Sequence, residues 1–285
     1  MQYIMGNTGK ALAVALLGLL LGGCNEGRIT VSVTDAPVDE AQAVVIQFSS
    51  VSFERSDGSR HTVDLDPPRQ LDLRQLSGGL SEALLLEQVL DNDRYRAIEL
   101  GIDADGSGQS YVDFVDGRRL PLVLPEARRG DLRVPVEFDI EETSNIGFTV
   151  DFDLRRSLAK ATATEVELQP ALRGVFDART GTLKGQVNPT LIGSGCVPAV
   201  YLYSGRNVTP DDIGGRGSQP LTSATVTADG GQWRYALGFI EAGEYTVALT
   251  CSAHLDALDQ DDDLPFVARR NEVRVAAGSS SVADF

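Results

Sequence analysis

Five aspartates crowd into one stretch near the C-terminal end, "HLDALDQDDDLPF": Asp256, Asp259, Asp261, Asp262 and Asp263, with His254 beside them. Carboxylates at this density suit a hard divalent cation, calcium above all, which takes roughly six to eight oxygens and in extracellular modules needs only ~10⁻⁴ to 10⁻³ M affinity. A solvated acidic loop has the same composition. A second candidate is "DADGSG", where Asp103, Asp105 and Ser107 alternate ahead of Gly108 like the first half of an EF-hand loop. Phe114 stands where that loop needs its bidentate glutamate, which leaves a looser calcium loop or an ordinary strand connection. The third, "TDAPVDE", offers Asp35, Asp39 and Glu40 as a carboxylate set for a ligand. The same residues also make a turn, with Pro37 setting φ and Asp35 bonding nearby backbone.

Covalent catalysis finds no comparable support. His61 and His254 are the only histidines, and neither G-x-S-x-G nor H-E-x-x-H occurs. Paired-carboxylate glycoside hydrolysis needs only two acids at a set separation, so an envelope glycan hydrolase stays open; with 41 acidic residues, any one pair says little. A single tryptophan, Trp233, and 6% aromatics provide little for an extended sugar-stacking platform. The chain therefore reads as a non-enzyme, with no catalytic residue assigned and calcium as the one cofactor in view. A net charge of −16 repels phosphate backbones, which argues against a nucleic-acid partner.

The N-terminal end bears on location. Lys10 is followed by an apolar and glycine run, Ala11 to Leu21, then Gly22, Gly23 and Cys24. The run is too short for a spanning helix, which needs ~20 apolar residues, and reads as a secretory signal peptide. Leu21-Gly22-Gly23-Cys24 resembles the lipobox of bacterial lipoproteins, which implies cleavage after residue 23 and a lipid on Cys24. Two or three acyl chains, at about 0.8 kcal/mol per buried CH₂, hold a protein at a bilayer surface without crossing it. Asn25, in place of the aspartate of inner-membrane retention, implies by the same resemblance an outer-membrane address, on the periplasmic or the surface face. Lipidation of Cys24 leaves Cys196 and Cys251 as the remaining pair, expected to form a disulfide in an oxidising compartment. That bridge would add about 3 to 4 kcal/mol through loop entropy.

The elements that must carry these residues are strands. In "GDLRVPVEFDI", Leu132, Val134, Val136 and Phe138 alternate with polar positions, and in "IGFTVDFDL" Ile146, Phe148, Val150, Phe152 and Leu154 do the same. The two read as a hairpin with Arg133 opposite Asp153 on a solvent face, which gives Asp151 and Asp153 a structural role. Only "LDLRQL" and "SEALLLEQVL" look capable of helix. Turn residues near Asp177 mark a break, and the Gly- and Ser-dense stretch from Asp211 to Ser218 reads as a mobile loop. Tyr95 in "DNDRYRAIELGI" and Tyr245 in "EAGEYTVALTC" each open an alternating strand after a turn, the position from which a tyrosine hydroxyl caps a sandwich corner.

"ITVSVTDAPVDEAQAVVIQFSSVSF", "RYRAIELGI", "FTVDFDLRRSL" and "VELQPALRGVF" resemble, in order, stretches of the bacterial domain of unknown function 4382, found in exported lipoproteins. The resemblance covers Arg28 to Phe176 and brings no catalytic motif. "GTLKGQV" and "EAGEYTVALTC" resemble strands of a prealbumin-like or carboxypeptidase-regulatory-like domain. The expectation is an all-β chain of two tandem antiparallel β-sandwich domains of Greek-key, prealbumin-like type. Its parts are a signal peptide (1–23), a lipid-anchored linker (24–27), an N-terminal sandwich (28–176) and a C-terminal sandwich (177–285). Its expected role is a lipid-anchored, non-enzymatic binding, structural or adhesion module of the cell envelope. The membrane, through the lipid, and an envelope protein or glycan are its partners; calcium-dependent adhesion and carbohydrate binding are the variants.

Overall fold

The computed structural model describes residues 26–36 and 41–285. Cys24, Asp39, Glu40 and the signal segment fall outside them. The chain is built of strands, as the alternating sequence requires, most of them joined by short turns and two pairs by longer loops, 205–221 and 251–265. The first twelve strands are β1 (Glu26–Ala36), β2 (Ala41–Arg55), β3 (Arg60–Asp72), β4 (Glu82–Asp91), β5 (Arg94–Ile102), β6 (Tyr111–Phe114), β7 (Arg119–Val123), β8 (Arg133–Asp139), β9 (Asn145–Asp153), β10 (Leu158–Ala161), β11 (Val166–Leu168) and β12 (Leu172–Phe176). One helical turn, α1 (Leu154–Ser157), follows β9. Two sheets result, one ordered β12-β9-β1-β4 and one ordered β10-β11-β7-β6-β2-β5-β8, with β3 added on β2.

Their facing sides share one apolar core that includes Phe48, Phe53, Ile98, Phe148, Val150 and Phe152. A chain of rings crosses it. Tyr95 stacks on Phe138 at 5.1 Å between centroids, Phe138 meets Phe176 edge-on at 6.2 Å, and Phe176 meets Phe148 at 5.3 Å. Tyr95 also donates its hydroxyl to the Asp91 carbonyl four residues upstream (3.1 Å), and Tyr245 does the same to Glu241 (2.7 Å), so both tyrosines cap sandwich corners.

The second unit comprises β13 (Thr180–Val187), β14 (Ala199–Ser204), β15 (Thr222–Thr225), β16 (Thr227–Asp229), β17 (Gln232–Glu241), β18 (Gly243–Thr250), β19 (Phe266–Val275) and β20 (Ser280–Val282). These form two four-stranded sheets, β16-β17-β13-β20 and β15-β14-β18-β19. Leu183, Val187, Val200, Leu202, Leu237 and Val247 fill the space between them. Among the described residues, β13 to β20 pair only with one another.

Several expectations are corrected. β8 and β9 are not a hairpin: β8 pairs with β5 in the larger sheet, while β9 pairs in parallel with β1 and antiparallel with β12. The largely exposed connection from Ile140 to Ser144 carries the chain from one sheet to the other. Arg133 consequently bridges to Glu54 at 2.7 Å rather than to Asp153. Asp151 and Asp153 are buried, not solvent-facing, because the outer side of β9 is covered as well. "SEALLLEQVL" lies in strand β4, whose exposed Leu86 belongs to the outer face of that sheet's edge, and of "LDLRQL" only Leu73–Leu76 coils, as a 3₁₀ turn. The pairing is antiparallel apart from β1 with β9, β7 with β11 and β13 with β20.

Candidate cation site

The sequence of β14, "AVYLYS", alternates between two cores rather than between core and water. Val200 and Leu202 point into the C-terminal sandwich, whereas Ala199, Tyr201 and Tyr203 join Ile213, Ala248, Ala253 and Leu264 in a second apolar layer outside the sheet. Two loops close over that layer: residues 211–218, which lie between β14 and β15, and residues 256–263, between β18 and β19. A buried tyrosine needs a partner for its hydroxyl, and these two find theirs on the loops. Tyr203 donates to the Asp211 carbonyl and Tyr201 to Asp256 Oδ2, both at 2.5 Å. Phe266 meets both rings edge-on, at 5.8 and 6.3 Å.

The loops thereby bring five carboxylates together. One oxygen each of Asp211, Asp212 and Asp261 lie within 4.8 Å of one another, as do oxygens of Asp212, Asp256 and Asp262. Backbone amides fix each carboxylate in place. Ile213 N–H donates to Asp256 Oδ1 (3.0 Å), Asp262 N–H to Asp212 Oδ2 (2.7 Å), Ala257 N–H to Asp262 Oδ2 (2.7 Å) and Gly217 N–H to Asp211 Oδ2 (2.7 Å). Asp212 is fully buried, and its second oxygen, Oδ1, has no hydrogen-bond partner. Burial first, and then the neighbouring Asp211, push the Asp212 carboxyl above the usual carboxylate range. Burial also raises Asp256, against the opposing bonds from Tyr201 and Ile213. Arg216, an exposed side chain, pairs with Asp261 at 3.3 Å, and Arg155 opposes the raised Asp256 carboxyl by its charge. Glycine is required here, since a Cβ at Gly215 or Gly217 would collide with the Asp212 or Asp211 carboxylate.

An all-oxygen, anionic set with a buried unpartnered carboxylate oxygen is matched to a hard cation, and calcium tolerates its irregular shape. Asp256, Asp261 and Asp262 of the expected set take part. Asp259 and Asp263 do not: both are exposed and outside the two groups, because the loop turns them toward water. Asp211 and Asp212, outside the expected set, sit in the stretch whose Gly and Ser content predicts a mobile loop, and the structure instead folds it over β14. Adjacent aspartates followed by glycines at 214, 215 and 217 were the signal.

The other described acidic candidates accept hydrogen bonds from the protein itself. Asp103 accepts from the Gln47 side-chain amide (2.7 Å), and Asp105 accepts from the Ser107 amide (2.9 Å); hydrogen bonds from Ser107, its hydroxyl first and then its amide, lower the Asp105 carboxyl. Neither belongs to a three-ligand group among the described residues. Asp35 is buried, accepting a long bond from the Leu154 amide at 3.4 Å, while Asp39 and Glu40 of its expected set lie outside the described residues. Burial, then Asp151 and Asp153, raise its carboxyl well above the ordinary value. Burial likewise raises Asp153 to about 6. Asp35 and Asp151 line a cavity of only ≈10 Å³, room for about one water and none for a sugar ring. Cys196 and Cys251 form the expected disulfide, with Cα atoms 4.6 Å apart.

Residues 26–170 match the family described as "Domain of unknown function (DUF4382)". The chain belongs to this family. The DUF4382 match takes in Asp35, Asp103 and Asp105, whereas the acid cluster lies beyond it, in the C-terminal sandwich. No curated protein matches the DUF4382 chain in sequence. Among solved structures it is similar to the Bacillus anthracis TIE protein, at 10% identity and a TM-score of 0.22 over 91% of this chain and 34% of that one. The chain thus spans about a third of that protein's length. A fimbrial anchor protein from Porphyromonas gingivalis aligns at 12% identity and TM-score 0.20, over 86% of this chain and 82% of that one. A minor pilin from Streptococcus agalactiae aligns at 10% identity and TM-score 0.19, over 90% and 94%. Overlaps at these TM-scores carry no statement about what the DUF4382 chain does. Among its described residues, no helix is long and apolar enough to cross a membrane.

Proposed function

We propose that this chain is a calcium-binding, non-enzymatic structural or adhesion module of the bacterial cell envelope. It would consist of a DUF4382 sandwich (28–176) and a prealbumin-like sandwich (177–285), tethered through a lipid on Cys24. The observation that carries the calcium reading is Asp212 Oδ1, fully buried and unpartnered among four further carboxylates. A buried anion in that position costs several kcal/mol unless a cation or proton neutralises it. Calcium at 10 mM, some ten to a hundred times an extracellular-type Kd, is expected to stabilise the fold by about 1.4–2.7 kcal/mol. In a thermal melt at matched ionic strength this is a rise of several degrees over the chelated protein, and Asp212→Asn should remove most of it. An unchanged Tm would discard the calcium reading.

The tether rests on the Leu21-Gly22-Gly23-Cys24 run at the end of the apolar segment. Cells expressing the chain with an alkyne fatty acid are expected to label it in the membrane fraction, and Cys24→Ser to abolish both label and retention. Full labelling of Cys24→Ser would refute the lipid anchor.

A further inference from the structure

Each acid loop is held at its root by one of two consecutive arginines from the DUF4382 sandwich. Arg155 Nη1 donates to the Ala253 carbonyl at 3.1 Å, and its guanidinium lies 5.9 Å from the Tyr201 ring centre. Ala253 begins the short turn that delivers Asp256, whose own amide bonds back to the same carbonyl at 3.3 Å. Arg156 donates to the carbonyl of Pro220, immediately beyond the other loop. Gln219, next to Pro220, ties back into that loop through the Gly214 amide and the Gly215 carbonyl. The arginines themselves are rigidly placed. They occupy α1, where Asp153 caps the Arg156 amide at 3.1 Å, Leu154 and Ser157 are fully buried, and Ser157 Oγ accepts from Ala171 N–H at 3.0 Å.

From this arrangement we infer that a divalent cation in the acid cluster clamps the C-terminal sandwich onto the DUF4382 sandwich through Arg155 and Arg156, so that the joint is stiff with calcium and loose without it. The inference rests on the calcium reading above. Without a cation, five carboxylates on two loops repel one another, opposed by the amide and tyrosine hydrogen bonds between the loops and the sheet and by the Ile213, Ala253 and Leu264 contacts. With a cation the loops are drawn together, Asp256 is pulled toward the cluster, and the carbonyls of Ala253 and Pro220 come to rest where the two guanidinium groups can hold both. Linkage makes the effect reciprocal: whatever factor calcium adds to the arginine contacts, the arginines must add to calcium affinity. The electrostatic effect of Arg155 alone has the opposite sign, since a cation near Asp256 disfavours calcium. The direction of the change therefore separates a clamp from simple charge repulsion.

The test uses the full chain, with and without 5 mM calcium, by amide hydrogen exchange and titration calorimetry. Calcium is expected to slow exchange at 154–157 in the DUF4382 sandwich as well as in the two acid loops. The Arg155→Met/Arg156→Met chain is expected to bind calcium at least about fivefold more weakly, the lower end of ordinary coupling, and to show no calcium-dependent protection at 154–157. Calcium binding to the wild type with unchanged exchange at 154–157 would overturn the clamp and leave the calcium site standing. Equal or tighter binding by the double variant would overturn it too. No calorimetric binding to the wild type would remove both. If the double variant fails to fold, the wild-type exchange measurement alone decides.

Discussion

Replacing Arg173 by methionine is expected to cost about 3–5 kcal/mol of folding stability, the range for removing one partner of a buried ion pair. Arg173 lies on β12 directly across from Asp151 on β9, and its Nη2 meets Asp151 Oδ2 at 2.7 Å. The Asp151 side chain is only 6% exposed and its other oxygen has no partner. Methionine keeps the apolar stem and removes the guanidinium, which leaves Asp151 buried beside Asp35 and Asp153 with its neutralising group gone. The variant also loses the bond from Arg173 Nη1 to the Phe239 carbonyl (2.9 Å), a direct tie between the two sandwiches. Denaturant unfolding of the full chain at pH 7.5 measures the cost. Adding Asp151→Asn to Arg173→Met should recover part of it, because the stranded charge is then absent.

The cost is further expected to shrink at pH 5. The folded chain holds a proton on Asp35 and Asp153 more tightly than the unfolded chain does, since both carboxyls are raised by burial and, beyond that, by acidic neighbours. Stability contributed by such groups grows as the pH falls through the folded value, about 6 for Asp153, toward the unfolded value near ~4. Arg74, Arg155 and Arg156 soften the effect without removing it. Protonation of the two neighbours therefore relieves the repulsion that Arg173→Met exposes. A cost below about 1 kcal/mol at pH 7.5 would mean that Asp151 reaches water in solution, contrary to its burial here.

The faces of the strands were legible in the sequence, but their partners were not. Alternation placed Val134, Phe138, Phe148 and Phe152 inward correctly. It could not tell that β8 and β9 belong to different sheets, because a short polar connection serves a hairpin and a crossing between sheets equally well. Nor does a period-2 pattern report a second covering layer. Asp151, Asp153, Tyr201 and Tyr203 all sit on faces that are buried by something distant in sequence, the other sandwich in one case and two loops in the other. The acid site was half visible for the same reason. Its 256–263 arm is conspicuous as a run of aspartates, whereas Asp211 and Asp212 gain meaning only when β14 and β18 pair side by side and bring the two loops over one sheet.

That pairing also locates the second large effect. The Cys196–Cys251 bridge joins residues 55 apart, and changing both cysteines to serine is expected to lower stability by about 4 kcal/mol in the loop-entropy model. In that model the loss arises in the unfolded chain, so native contacts such as the Val197 amide to the Cys251 carbonyl (2.9 Å) should survive in the variant. Equilibrium unfolding of the double serine chain beside the oxidised wild type gives the magnitude. A single Cys196→Ser change should be no less damaging, since it breaks the same loop and leaves a free thiol that can pair between chains. A second readout separates entropy from local structure. Cys251 lies two residues before Ala253, the carbonyl that Arg155 holds, and five before Asp256. If the bridge acts only on the unfolded state, calcium should stabilise the double serine chain by the same increment as the wild type. A smaller increment would place the disulfide among the groups that shape the acid loop, and a total loss of under about 1 kcal/mol would mean that the unfolded chain keeps these ends together unaided.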